Sequence, residues 1–385
     1  MSPDRRTFLK QSALLTGTVG LAGNSAILFA NTPEKAPKPI PTWKGFNVQD
    51  FFSPDPQHAW RQTTEEELKW MADWGFDFVR IPIAYPSYLD FDRSRDILPE
   101  EVYQVDEAAL EKVDELVFLI NKYGMHASIN LHRAPGYCIN AGFREPYNLW
   151  LDEEAREAFY WHWDMWARRY KQLSREQISF DLLNEPAWVE AMNDQHSSKT
   201  IVSGYAYATL VEKAAKAIWA VNPDHLVVAD GNDIGTKVIP EITHLPIVQS
   251  CRGYFPHIVS HYKAQWVYSP EQIAGLPSLK YPGQVGDQYL SREMLEAFYA
   301  PWIELVEKGV GVHCGECGCY NKTPHAIFLS WFGDILDIIG SHNIGFALWN
   351  FVGDFGILNS GRKDVDYEDW YGYKLDKKLL DLIRP

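Results

Sequence analysis

The chain predicts an α/β fold closed as a single (β/α)8 barrel of the TIM type, with long loops at one mouth, and three observations carry that expectation. Strand-like and helix-like stretches alternate eight times along its 385 residues. Such alternation predicts a parallel sheet, and eight repeats favour closure into a barrel. The strand-like stretches are short, apolar and rich in β-branched or aromatic residues, as strands buried on both faces are. Long connections follow several of them, and loops of that size inside a compact domain are uncommon unless they serve function.

In chain order, residues 1–30 stand apart. Arg5-Arg6-Thr7-Phe8-Leu9-Lys10, followed by a Gly-rich and moderately apolar run from Ser12 to Ala30, resembles a twin-arginine export signal. Gly17, Gly20, Gly23 and Asn24 break the run, which disfavours a stable membrane span. Residues 31–41 read as a linker and 42–385 as the barrel.

The expected strands are Gly45–Val48, Phe78–Pro82, His126–His132, Ile178–Glu185, His225–Asp230, His257–Tyr262, Val310–Glu316 and Gly345–Trp349. Helices are expected over Thr64–Trp74, Glu111–Tyr123, Glu153–Tyr170, Tyr205–Val221, Arg292–Lys308 and Pro324–Ile339. Thr63-Thr64-Glu65-Glu66 and Asp152-Glu153-Glu154 place a hydroxyl or carboxylate before an acidic first turn, the signature of a helix start. The long connections are Arg133–Leu151, Ala187–Gly204 and Lys263–Leu290, which would wall one cleft and carry Trp150, Trp188, Trp266, Tyr268 and Tyr281.

A composition that is 46% hydrophobic and 23% charged supplies ample core, and 15 Trp also suit a cleft that stacks the flat apolar faces of sugar rings. The net charge of −15 argues against nucleic-acid and anionic-membrane partners, both of which want a basic patch. Five cysteines, Cys138, Cys251, Cys314, Cys317 and Cys319, are an odd number, so at least one thiol stays free or pairs outside the chain. His313-Cys314-x-x-Cys317-x-Cys319 invites a zinc reading. Against it, a strand points alternate side chains to opposite faces. Packed thiols or one disulfide are expected there, and no metal.

Two glutamates carry the chemistry. Glu185 ends Ile178-Ser-Phe-Asp-Leu-Leu-Asn184-Glu185, and Glu316 ends Val310-Gly-Val-His-Cys-Gly315-Glu316. A carboxylate at the carboxyl end of a barrel strand lies at the mouth where barrel enzymes do their chemistry. Two of them across a cleft can protonate a glycosidic oxygen and attack an anomeric carbon.

Five motifs fall in series on strand ends: Arg80-Ile81-Pro82, Leu131-His132 with Ala134-Pro135-Gly136, Asn184-Glu185-Pro186, Gly315-Glu316, and Leu348-Trp349. With them the chain, from about residue 42 to its end, resembles glycoside hydrolase family 5. The resemblance implies Glu185 as acid/base and Glu316 as nucleophile. It also implies Asn184 on the sugar 2-hydroxyl, Arg80 beside Glu316, His132 and His261 in the cleft, and Trp349 beneath the reacting sugar. Trp266 is expected at a more remote sugar site. The family usually shows His-x-Tyr after the sixth strand, its tyrosine touching the nucleophile. Here His261 is followed directly by Tyr262, so that role falls to Tyr262, with Tyr268 or no tyrosine as alternatives.

The expected protein is thus an exported, monomeric, retaining glycosidase that acts on a carbohydrate and needs no cofactor. Its substrate is expected to be a β-glycan, β-glucan by preference. The alternatives are an exo-acting β-mannosidase or β-glucosidase type of enzyme on short oligosaccharides or glycoconjugates, a non-catalytic carbohydrate-binding barrel, and a zinc hydrolase built on the cysteine cluster.

Overall fold

The computed structural model describes residues 40–58, 61–192 and 194–385. The expected export signal and most of the linker lie outside the described residues.

Eight parallel strands close into a barrel in sequential order: β1 (Lys44–Asn47), β2 (Phe78–Ala84), β3 (His126–Arg133), β4 (Ile178–Asp181), β5 (Leu226–Asp230), β6 (Ile247–Gly253), β7 (Val312–Cys317) and β8 (Gly345–Leu348). Every residue of β2, β3, β5, β6 and β7 is buried, which is why these strands read as apolar runs rather than as alternating patterns. Around them pack α1 (Glu65–Asp73), α2 (Glu107–Lys122), α3 (Glu153–Arg169), α4 (Gly204–Val221), α5 (Arg292–Glu307), α6 (His325–Gly340) and α7 (Lys377–Ile383). Thr64 caps α1 through a reciprocal pair with Glu67, each side chain accepting from the other's backbone N–H. Asp152 precedes α3 without bonding its first turn, accepting instead from the Asn148 N–H at 2.7 Å.

One strand departs from expectation. The sixth is Ile247–Gly253, and the expected strand at 257–262 instead begins with a single helical turn, His257–Ser260. The cause is local: β5 and β6 are joined only by the short turns Asn232–Gly235 and Pro240–Ile242, so strict helix–strand alternation fails there.

Barrel filling positions the site. Trp43, Phe78, Leu226, Val228, Val248 and Ala347 form a separate apolar plug, stacked against His126 and meeting His313 at a tilt. Beside it Ser128, Ser179, Ser250 and Gly315, one each from four strands, are small residues that leave room for Arg80. A Cβ at Gly315 would lie 2.5 Å from Ser250 Oγ and 3.4 and 3.7 Å from the Arg252 and Arg80 guanidinium nitrogens. The tight contact is with the Ser250 hydroxyl, which would have to turn aside to admit a side chain at this position.

Candidate active site

Arg80, on β2, is 1% exposed and bonds four groups. Its Nε donates to Asp181 Oδ2 at 2.6 Å, Nη1 to Glu316 Oε1 at 2.5 Å and to Asn47 Oδ1 at 3.1 Å, and Nη2 to Asn184 Oδ1 at 3.0 Å. A second guanidinium lies opposite. Arg252 of β6 donates through Nε to Glu185 Oε1 at 3.0 Å, through Nη1 and Nη2 to the two oxygens of Asp230, and through Nη2 to Asn184 Oδ1 at 2.9 Å and Glu316 Oε1 at 3.4 Å.

Asn184 thus accepts from both arginines at Oδ1, which fixes the amide orientation. Its Nδ2 is buried with no partner among the described residues.

Glu185 follows in a left-handed backbone, φ +48°. That conformation is uncommon for a non-glycine residue and persists only when neighbours over-determine it. Here Asp230 Oδ2 accepts the Glu185 N–H at 2.9 Å, and the Tyr137 hydroxyl donates to the Glu185 carbonyl at 2.6 Å while accepting from Ala187 N–H at 2.9 Å. The Ala134-Pro135-Gly136 turn after β3 therefore buttresses the turn after β4.

Four carboxylates, Asp181, Glu185, Asp230 and Glu316, surround the two guanidiniums. More negative than positive, the cluster favours taking up a proton. Burial, reinforced by the charge of Glu316 and opposed by Arg252, pushes Glu185 up to about 7. Burial, only partly offset by Arg80, does the same for Asp181. Asp230 differs: burial raises it, but Arg252 and Arg80 outweigh that and hold it below the usual carboxylate range.

The tyrosine beside Glu316 is not Tyr262, whose hydroxyl donates to Pro277 O at 3.2 Å, but Tyr254, which donates to Glu316 Oε2 at 3.3 Å. Arg252-Gly253-Tyr254 fills the place expected for His-x-Tyr. Burial and the charge of Glu316 push the Tyr254 hydroxyl up, so it stays a donor.

Glu185, Glu316, His132, His261, Trp266 and Trp349 line one cleft of about 620 Å³, within the range of ligand sites. Trp349 packs against His132, stacked at 5.5 Å, and edge-on against Phe52. His261 sits edge-on to Tyr254 at 4.9 Å and 6.2 Å from Trp266. Burial, with the nearby arginines, keeps the His132 ring neutral, and burial with His257 does so for His261.

Sequence reasoning missed Tyr254, Arg252, Asp230 and Asp181. It also missed the loop after β8, which brings Asn350, Val352, Gly353, Asp354, Phe355 and Asn359 to the cleft. Of the expected loop aromatics only Trp266 reaches the cleft lining. Tyr281 instead donates to Asp334 on α6 at 2.6 Å, and Trp150 to Ala187 O at 3.0 Å. All five cysteines are buried free thiols, and no metal-holding group of His, Cys, Asp or Glu occurs among the described residues.

The family model described as cellulase, glycosyl hydrolase family 5, matches residues 34–354. Endoglucanase C of Acetivibrio thermocellus is 27% identical over 330 residues, covering 79% of this chain and 89% of that protein. Cellodextrinase A of Ruminococcus flavefaciens is 29% identical over 286 residues, covering 73% and 76%. A solved structure described as a glycoside hydrolase superposes with a TM-score of 0.79 at 35% identity, over 89% of this chain and 98% of that one. Thermotoga maritima Cel5A in complex with mannotriose shares the fold, with a TM-score of 0.66 at 21% identity over 89% and 97%. With the barrel, the paired strand-end glutamates and the family match in agreement, the chain belongs to glycosyl hydrolase family 5, a family of retaining glycosidases.

Proposed function

We propose that the protein hydrolyses β-glucan or its oligosaccharides, with Glu316 as nucleophile and Glu185 as acid/base. Glu316 attacks the anomeric carbon while the Glu185 proton passes to the departing glycosidic oxygen. Glu185 then takes a proton from water, whose oxygen attacks the same carbon and releases Glu316.

The observation that carries this assignment is the different fastening of the two carboxylates. Glu316 meets donors on both oxygens, from Arg80 and Tyr254, which keep an attacking carboxylate in place. Glu185 accepts from one donor and, pushed up to about 7, can hold and give a proton. The two relatives named as an endoglucanase and a cellodextrinase support β-glucan as the substrate.

Hydrolysis of a panel of β-glucans, mannans, xylans and aryl glycosides, with product lengths resolved, tests this. Cleavage of β-glucan is expected; cleavage of mannan or xylan alone would overturn the substrate, and no cleavage at all the catalytic reading.

Export by the folded-protein route belongs to the same proposal and rests on Arg5-Arg6. Replacing both with Lys should leave full-length precursor inside the cell, and unimpaired export of that variant would refute it. Action as a monomer is part of the same proposal. Sedimentation showing a dimer would contradict it.

A further inference from the structure

We propose that Arg252 is the positioning residue of the acid/base: it engages Glu185 through Oε1 only and so leaves the transferable proton to Oε2, with Asp230 holding both partners in place. The inference rests on the reading of Glu185 as acid/base.

A guanidinium only donates, and it is charged at every working pH. Its Nε–H points at Glu185 Oε1 from 3.0 Å. A proton on that oxygen would face the Nε hydrogen, whereas a proton on Oε2 leaves the bond intact. No other donor among the described residues bonds the Glu185 carboxylate, and its side chain, 14% exposed, lines the cleft. A histidine in this position could donate or accept according to tautomer. Arginine removes that choice.

Geometry also fixes Arg252 itself. Both oxygens of Asp230 accept from its two Nη atoms, and Ser250 Oγ lies 3.2 Å from Nη1. The same Asp230 Oδ2 accepts the Glu185 N–H, so a single carboxylate fastens both the backbone that aims Glu185 and the cation that orients its side chain.

Other charged or titratable groups face Glu185: Glu316 from β7, Tyr254 after β6, Tyr137 and Cys138 after β3, and Lys199 from the short hairpin after β4. Of these none bonds its carboxylate.

The two partners act on the acid/base with opposite sign. The cation favours ionised Glu185, and the Asp230 charge disfavours it. The alkaline limb of kcat/KM on substrates that need leaving-group protonation reports loss of the Glu185 proton. Arg252→Gln should therefore move that limb up by about 1 pH unit, the low end of the effect of an adjacent cation on a carboxylate. Asp230→Asn should move it down. Arg252→Lys should leave it in place but lower kcat, because one ammonium cannot span Glu185 and Asp230 together.

The experiment is the pH profile of these three variants and the wild type on cello-oligosaccharides, with folding checked by circular dichroism and thermal melts. A merely structural role would lower activity without opposed shifts. A folded Arg252→Gln with an unmoved limb, or an Asp230→Asn limb that stays or rises, overturns the proposal. If Arg252→Gln does not fold, Asp230→Asn and Arg252→Lys still decide it, and Arg252→Lys with wild-type kcat counts against it. Glu185→Gln separates the two readings. An alkaline limb that survives in Glu185→Gln refutes the acid/base assignment itself, whereas its loss there together with unmoved limbs in the Arg252 and Asp230 variants refutes only the role of Arg252.

Discussion

Arg80 and Arg252 enter the mouth of the barrel from opposite sides, each 1% exposed; Arg80 bonds Glu316 alone of the paired glutamates, whereas Arg252 bonds Glu185 at 3.0 Å and reaches Glu316 only at 3.4 Å. Arg80 binds Glu316 together with Asp181, deep in the barrel, and Arg252 binds Glu185 together with Asp230, nearer the strand ends. The difference is in what each charge serves. On the proposed roles, Arg80 holds the carboxylate that attacks, so its effect should fall on every substrate. Arg252 then chiefly holds the carboxylate that transfers a proton, so its effect should fall where protonation matters.

The largest effects should come from the glutamates themselves. Glu316→Ala should lower kcat on the order of 10⁴-fold or more on all substrates, as loss of a covalent nucleophile does. Azide should then fill the gap and give a glycosyl azide of anomeric configuration opposite to the substrate linkage, detectable by NMR. Glu185→Ala should cost about 10² to 10⁴-fold on unactivated glycosides and far less on aryl glycosides with good leaving groups, which depart without protonation. Equal losses on both substrate types, with no azide product, would remove the distinction between the two halves of the site.

The arginine variants sharpen the comparison. Arg80→Gln leaves Asp181 and Glu316 buried with their main cation gone, and breaking such a pair costs about 3 to 5 kcal/mol. The variant should melt well below wild type, and its residual kcat should fall alike on aryl and natural substrates. Arg252→Gln should fall more on the natural ones. Matching substrate profiles for the two variants would show that the arginines serve one undivided network.

A smaller effect reads the coupling between the glutamates. The charge of Glu316 helps push Glu185 up to about 7, so kcat/KM on unactivated substrates should fall as pH rises through that region. Glu316→Gln removes the negative neighbour and should lower the Glu185 titration point, followed by ¹³C NMR of labelled glutamate. A titration point that stays or rises would mean burial alone sets it.

Much of this was legible in the sequence because buried parallel strands are apolar and end in distinctive residues. Glu316, near the end of β7, and Glu185, just past β4, line the cleft as strand-end reasoning expects, whereas Arg80 lies within β2 and reaches Glu316 from below. The sixth strand was not legible. Its Ile247-Val248 pair gives way to Gln249, which bonds the Ile239 backbone in the β5–β6 connection, and to Ser250 and Arg252, which bond each other inside the barrel, so no apolar run marks it. Ile258-Val259 offered a false one, since a short apolar run does not distinguish a strand from a helical turn. Tyr254 and Arg252 were lost with the strand. Asp181 and Asp230 were read as ordinary strand residues, because nothing in sequence spacing says which way a buried carboxylate finds its cation.

The smallest expected effect concerns the two tryptophans, which divide the cleft by distance from the chemistry. Trp349 follows β8, packs on His132 and Phe52, and lines the cleft beside both glutamates. Trp266 rides on the connection after β6, is 36% exposed, and leans edge-on against Tyr320 at 4.7 Å. An aromatic face stacked on a pyranose is worth about 0.5 to 1.5 kcal/mol beyond its buried area. At 1.4 kcal/mol per tenfold, that is about 2- to 13-fold in affinity. Trp349→Ala should lower kcat on every substrate, since it supports the reacting ring, and at least by the upper part of that range because its packing partners lose their wall too. Trp266→Ala should chiefly raise KM, and more for longer oligosaccharides than for aryl monosaccharides, because a remote sugar site contributes only when it is filled. Kinetics over a ladder of chain lengths decides it: a Trp266→Ala effect equal at every length would move this side chain from a remote sugar site to the support of the reacting one.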